Sequence, residues 1–236
     1  MFKVSLTSIV RKAKRRMKAL VGRDLFLTCQ AEYNTIYLGS DYGGWVICPD
    51  KINSDSIIYS FGVGDDISFD TALIEIFGVV VDAFDPTPRS IEWINHQNVS
   101  SLFRFHNYGL SNFDGEVIFH PPVHPSHMSF TLLEQSSSQV EGVKAPVFTL
   151  SSIMSMLNHT HIDVLKMDIE GAEYRVIDYL TNTEIRPLQI LIEFHHRFPE
   201  VGVMKTRQAI KKLNDIGYLL FSISENGEEM SFIKGN

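Results

Sequence analysis

The sequence predicts an α/β fold: a Rossmann-like, mostly parallel seven-stranded sheet that closes on a C-terminal antiparallel hairpin and follows an N-terminal amphipathic helix. Three observations predict it. From Thr35 onward, short apolar runs alternate with helix-length segments, the signature of βαβ units. A glycine loop follows the first buried run. The chain ends on Tyr218 to Ile223, a turn at Glu225-Asn226-Gly227, and Met230 to Ile233, an Asn-Gly hairpin signal.

In chain order, Leu6, Ile9, Val10, Ala13, Met17, Leu20 and Val21 recur at three- and four-residue steps with bases on the opposite face, which predicts a helix within residues 1–24. Such a helix suits an anionic membrane surface or an acidic partner, or packs its apolar stripe on its own domain. Ile57 to Phe61 reads as a buried strand, and Ser68 to Phe77 as a helix that a left-handed Gly78 ends. Val79 to Phe84 is the second strand; Thr87 caps a helix that begins at Pro88 and runs to about Asn95. Phe103 to Tyr108 is a third strand and Gly115 to Phe119 a short extra one. Residues 121–143 carry no periodicity and are rich in Pro, His, Ser and Gln, which makes them the best lid candidate, as a functional loop or a disordered one. Val164 to Met167 and Ile190 to Phe194 are buried strands, and a helix near Lys205 to Ile216 leads to the hairpin.

A chain of 236 residues with 44% hydrophobic and 21% charged residues buries one sizeable core. The expected organisation is therefore a basic helical segment at 1–24 and a single domain at 25–236. The net charge of -7 hides an asymmetry: residues 1–24 hold eight of the 21 bases and one of the 28 acids, leaving 13 bases against 27 acids in the body. Such a body is a poor match for nucleic acid. Cys29 and Cys48 make neither a disulfide framework nor a Cys-x-x-Cys pair, which fits a reducing, cytoplasmic setting. The apolar start precedes its bases, inverting the order of a secretory signal, and no apolar run reaches the roughly 20 residues of a membrane span. Peripheral contact at the inner face of an anionic membrane, through residues 1–24, is the membrane role left.

Ser60-Phe61-Gly62-Val63-Gly64-Asp65-Asp66 lies between a buried strand and a helix, where glycines let a ligand approach the backbone closely. Asp85 ends the second strand 21 residues after Gly64, where a carboxylate accepts hydrogen bonds from ribose hydroxyls. Together these predict a nucleoside across the first two strand ends. A dinucleotide needs a third glycine where this chain has Ile67, and Asp65 and Asp66 repel a pyrophosphate while favouring a cationic sulfonium and ammonium. The charge pattern thus favours S-adenosylmethionine over NAD.

Five ordered blocks then resemble FkbM-type methyltransferases: Ser60 to Asp70, Phe84-Asp85-Pro86-Thr87, Asn107-Tyr108-Gly109-Leu110-Ser111, Leu165 to Glu173, and Ile192-Glu193-Phe194-His195. The run Gly39-Ser40-Asp41-Tyr42-Gly43-Gly44-Trp45 is also similar to the segment that opens that domain. The resemblance implies a class I methyltransferase fold, S-adenosylmethionine as donor, and O-methylation of sugars, glycolipids or polyketide-type products. Phe61, Gly62, Val63, Gly64, Asp65, Asp66, Ser68, Asp85 and Pro86 are the expected cofactor contacts, and the resemblance places Leu110 and Ser111 beside the adenine. Many methyltransferases carry an acid where this chain has Ser60, so the partner of the methionine ammonium stays open among Asp65, Asp66 and Asp70.

Methyl transfer needs collinear reactants in a dry pocket and a group to take the acceptor proton. Ligands of open α/β sheets gather at the C-terminal strand ends, which puts Asp168 at one tip and Glu193, His195 and His196 at the next. Asp168, Glu193 and His195 are the expected catalytic residues, with His195 a candidate base because imidazole titrates near neutrality; Glu170 and His196 are expected to meet the acceptor. Glu173 reads as structural, paired with its own first turn or with Lys166, and His106 as a satisfied core histidine. Phe113, Phe119 and Phe130 are a sugar platform or core, with core favoured for Phe119. His120, His124 and His127, with Asp114 and Glu116, complete no known ligand spacing, so no metal is expected. The leading function is methyl transfer to a small-molecule or glycan acceptor; the alternatives are a non-catalytic binder or membrane-associated scaffold and, third, an NAD-dependent oxidoreductase.

Overall fold

In the computed structural model, residues 14–119, 142–198 and 200–235 are described. The strands are β1 (Ile36–Leu38), β2 (Trp45–Ile47), β3 (Ile58–Phe61), β4 (Val81–Phe84), β5 (Phe103–His106), β6 (Gly109–Leu110), β7 (Gly115–Phe119), β8 (Val143–Phe148), β9 (Val164–Met167), β10 (Gln189–Glu193), β11 (Tyr218–Ile223) and β12 (Glu229–Lys234). The helices are α1 (Ser68–Phe77), α2 (Pro88–Ile94), α3 (Leu150–Leu157), α4 (Glu173–Thr181) and α5 (Gly202–Asp215).

Seven strands form the central sheet in the order β11-β12-β10-β9-β3-β4-β5. The contacts among β10, β9, β3, β4 and β5 are parallel, and β12 enters antiparallel between β10 and β11. A parallel sheet covered on both faces needs strands that are apolar throughout, and β3, β4 and β9 are buried at every residue. Alternation sends Tyr59, Phe61, Leu165 and Met167 into one apolar layer and Ile58 and Val164 into the other. The chain runs outward from β3 to β4 and β5, then returns to β9 on the other side of β3, so the β3/β9 boundary is the switch point at which such sheets bind ligands.

The helices begin and end where local chemistry dictates. Gly78 closes α1 at φ 67°, and the Thr87 hydroxyl accepts the Ser90 N–H at the start of α2. His106 pairs with Asp82 at 2.8 Å, a satisfied histidine in β5. The third strand stops at His106, because the next residues leave the sheet and β6 pairs with β8 in a separate three-stranded sheet, β6-β8-β7. Of the expected lid, only 142 and 143 lie within the described residues, and Val143 already belongs to β8; His120, His124, His127 and Phe130 lie outside them. The helical turns at 14–20 belong to the expected N-terminal helix, and residues 1–13 lie outside the described set. Among the described residues no helix is long and apolar enough to cross a membrane.

The β1–β2 hairpin is tied to the sheet by Ser231 of β12, whose hydroxyl donates to the Val46 carbonyl at 2.8 Å, and more firmly by a buried amide. Gln189, fully buried at the start of β10, accepts the Cys48 N–H at 2.8 Å and donates to the Cys48 carbonyl at 3.1 Å. Replacing it by an isosteric apolar group orphans two buried backbone groups, each costing about 1–3 kcal/mol. Gln189→Leu is therefore expected to lower the unfolding free energy by roughly 2–4 kcal/mol, measured by urea titration; a change within error would show that the amide clamp is dispensable.

Candidate functional site

The glycine loop leaves β3 by crossing the tip of β9. The Phe61 carbonyl accepts the Asp168 N–H at 3.1 Å, and a β-carbon on Gly62 (φ 83°) would stand 1.8 Å from the Asp168 carbonyl oxygen, so only glycine fits. Lys166, buried on β9, donates to the carbonyls of Gly62 at 2.8 Å and Phe61 at 3.3 Å and holds the crossing from below. Asp85 holds it from the side: one carboxylate oxygen accepts the N–H groups of Val63 and Gly64, the other the N–H and hydroxyl of Thr87. Four donors fill the ordinary acceptor capacity of a carboxylate. Asp85 therefore organises the loop, and its four acceptor positions, expected to meet ribose hydroxyls, are taken by protein donors.

Asp66 ties this loop to the β1–β2 hairpin. Its carboxylate accepts the Ser40 hydroxyl at 2.6 Å and the Ser68 N–H at 2.7 Å, and the Ser68 hydroxyl accepts the Ser40 N–H. Burial opposes its charge, but these hydrogen bonds hold its carboxyl below the usual range. A β-carbon on Gly43 would lie 2.7 Å from Asp66 Cγ, so the hairpin turn presses against the loop. Asp65 faces Arg89 at 3.6 Å. Asp70 is buried, its carboxyl raised by that burial, with one oxygen lacking a partner.

At the tips of β9 and β10 a second acidic group assembles. Glu173, wholly buried, accepts the Gly171 N–H of its own first turn and both the backbone N–H and Nδ1–H of His195, and shows no contact with Lys166. The other ring nitrogen of His195 faces Glu170 at 3.2 Å, with Asp168 Oδ1 at 4.0 Å. Burial disfavours a charged ring, yet the hydrogen bonds to Glu170 and Glu173 outweigh it and raise the His195 pKa well above its ordinary value. His195 is thus an imidazolium held between carboxylates, not a free base, and sequence reasoning missed this because the partners converge only in space. Burial and then the neighbouring Asp168 charge push Glu193 up to about 9; its carboxyl donates a hydrogen bond to Asp168, itself raised by burial. Glu193 therefore keeps its proton near neutrality, and Asp168 Oδ1 is buried with no hydrogen-bond partner. One ligand atom each from Asp168, Glu193 and His195 lies within 4.8 Å of the others, a spacing open to a metal ion, although His195 presents a positive charge there.

These parts enclose a cavity of about 390 Å³, the size of a small-molecule or cofactor site. Phe61, Gly62, Val63, Gly64, Asp65, Asp66, Asp85, Pro86, Leu110, Asp168, Glu170 and Glu193 line it as the sequence places them. Four expected residues do not. Ser68 serves the hairpin, Ser111 is buried and donates its N–H to Phe148 O, His195 stands behind Glu170, and His196 turns away to pair with Asp24 at 2.9 Å. His196 is therefore corrected from an acceptor-side residue to a structural one, since successive residues after a strand point to opposite sides. Phe119, expected as core, is half-buried and lines the cavity. The sequence did not give Tyr42, Trp45, Arg89, Lys166, Asn226 or Glu229 a place in the wall; the Gly43-Gly44-Trp45 run between two short apolar segments was the available signal for the first two.

Residues 24–220 match the methyltransferase FkbM domain. The crystal structure of a methyltransferase FkbM from Methylobacillus flagellatus KT is similar with a TM-score of 0.48 at 14% identity, covering 77% of this chain and 44% of that one, so the chain spans less than half that protein's length. No curated protein matches the chain.

The raised Glu193 carboxyl has a stability consequence. Between its ordinary 4.5 and about 9 the folded state holds a proton that the unfolded state releases, so stability falls as pH climbs through that window. Glu193→Gln keeps a donor toward Asp168 without that proton. Its stability relative to the parent should rise steadily from near pH 5 to near pH 9 in urea titrations; a constant difference would refute the assignment.

Proposed function

The chain belongs to the FkbM methyltransferase family, and from that premise we propose that it binds S-adenosylmethionine in the β3/β9 cavity and methylates a hydroxyl oxygen of a sugar, glycolipid or related biosynthetic product. S-adenosylmethionine is the usual donor of this family and supplies an electrophilic methyl group on a positively charged sulfur. The residues present fit such a cation. Asp65, Asp66, Asp168 and Glu170 all line the cavity beside the protonated Glu193, and carboxylates in a partly desolvated wall favour positive charge far more than in water. The Val63 and Gly64 N–H groups, which would otherwise cradle a phosphate, are occupied by Asp85. Both features argue against a pyrophosphate-bearing nicotinamide cofactor, and no observation favours a purely structural role.

The observation that carries the reading is Asp168, whose side chain lines the acid-rich cavity while one buried carboxylate oxygen, Oδ1, has no hydrogen-bond partner. In the proposed mechanism the Asp168 carboxylate takes the proton of the acceptor hydroxyl, with Glu193 donating a hydrogen bond to the same carboxylate. His195 serves as a positioning residue: its ring, 4.0 Å from Asp168 and 3.2 Å from Glu170, favours the ionised form of those acids against their burial while Glu173 fixes the ring. The Gly62 crossing sets the floor, and the hairpin segment Tyr42 to Trp45 lines one side.

Calorimetry with S-adenosylhomocysteine and with NAD tests the cofactor: the first should bind and the second should not. With radiolabelled donor and sugar or glycolipid acceptors, Asp168→Asn should lower turnover by about 10²- to 10⁴-fold, the usual contribution of a positioned base, while retaining S-adenosylhomocysteine. Failure to bind the nucleoside, or unchanged turnover in Asp168→Asn, would overturn the reading.

A further inference from the structure

We propose that the face carrying helical residues 14–20 and the basic recess beside α5 docks on an anionic lipid bilayer. The inference is independent of the methyl acceptor and rests on how this segment is mounted. Arg15 faces the body, donating to the carbonyls of Leu25, Ser224 and Glu225 at 3.1–3.4 Å. It packs so closely on the β11–β12 turn that a β-carbon on Gly227 (φ 85°) would stand 1.8 Å from its guanidinium. At about 100° per residue, Met17, Leu20 and Val21 fall roughly 140–240° away from Arg15, on the opposite side. They are 69%, 86% and 68% exposed. The anchor is therefore polar, and the described end of the apolar stripe, Met17, Leu20 and Val21, is presented outward.

The charges match one kind of surface. Lys14, Arg16 and Lys18 flank that apolar trio on the helix, the arrangement in which apolar groups enter the headgroup boundary while long basic side chains reach the phosphates. Beside it opens a shallow recess of about 450 Å³ walled by Lys18, Arg23, Arg197 and the first residues of α5. His196 also lines the recess; its side chain is wholly buried, and Nδ1 has no hydrogen-bond partner. A headgroup phosphate suits Lys18 and Arg23, Arg197 being held by Asp24 and Glu228, and the first-turn N–H groups of a 14-residue helix beyond Gly202, whose own N–H is taken by the Phe198 carbonyl. The rest of the chain, with 13 bases against 27 acids, is repelled by an anionic bilayer, so this face alone would approach it. Asn226, in the turn that holds Arg15, also lines the site cavity, so the docked face and the site share one structural element.

The test is sedimentation of the full chain with phosphatidylcholine vesicles and with vesicles containing one-third phosphatidylglycerol. The chain should pellet with the second and not the first, and high salt should release it. Lys18→Ala and Arg23→Ala should each weaken binding by about fivefold, the factor that ~1 kcal/mol per basic residue gives. Leu20→Glu with Val21→Glu should abolish binding with an unchanged melting temperature, because both positions are exposed. Equal pelleting with both vesicle types, no pelleting, or full binding by the double variant would overturn the proposal. So would a dimer in solution that the double variant dissociates, which would make the face a contact between copies. None of these outcomes depends on nucleoside binding.

Discussion

The site depends on one close approach, the passage of the Gly62 loop across the end of β9. There the Phe61 carbonyl meets the Asp168 N–H, the Gly62 N–H meets the Phe84 carbonyl, and no side chain fits at position 62. This crossing brings the acids of the loop and the acids at the strand tips, more than 100 residues apart in the chain, to a shared cavity. Sheet, loop and acidic tips are consequently not separable features. A wider crossing would part the two halves of the wall.

Concentrating carboxylates in a half-buried cleft is costly unless each is paired, hydrogen-bonded or protonated. The structure uses all three solutions. Asp85 and Asp66 are satisfied by backbone and hydroxyl donors, Glu170 and Glu173 by the His195 imidazolium, and Asp168 and Glu193 by a shared proton. Lys166 adds a buried positive charge directly beneath the loop, satisfied by two carbonyls and lying 5.6 Å from the Trp45 ring centre. One buried oxygen of Asp168 is left without a hydrogen-bond partner, and the proposed proton transfer uses the carboxylate that carries it.

The hairpin of β11 and β12 links the site to the basic face. Arg197 joins Asp24 to Glu228 and to the Asn226 carbonyl, while His196 completes the Asp24 pairing from the interior. Consecutive histidines thus divide the work: His195 braces the acidic tips, and His196 braces the segment that carries the N-terminal helix. An antiparallel last strand makes this possible, since it returns the 224–229 turn to the ligand-binding end of the sheet.

The sequence by itself determined what is written locally. Continuous apolar runs specify buried parallel strands at Ile58–Phe61 and Val164–Met167, Gly78 and Thr87 mark helix ends, and the glycine loop with its acids names the ligand-binding end. Thr149 and the spacing of Leu150, Ile153, Met154 and Leu157 were an equally legible helix signal that went unread beside an irregular stretch. Only the tertiary structure decided the roles of individual polar side chains. Asp85 clamps its own loop, His195 is charged rather than basic, His196 turns from the cavity, and Phe119 joins the wall. Each of these depends on which partners lie within hydrogen-bond or contact distance, and apart from Thr87 the hydrogen-bond partners sit 21 to more than 170 residues away in the chain. Periodicity and motif spacing fix which face a residue occupies, but the protonation and engagement of a side chain are set by neighbours that only folding assembles.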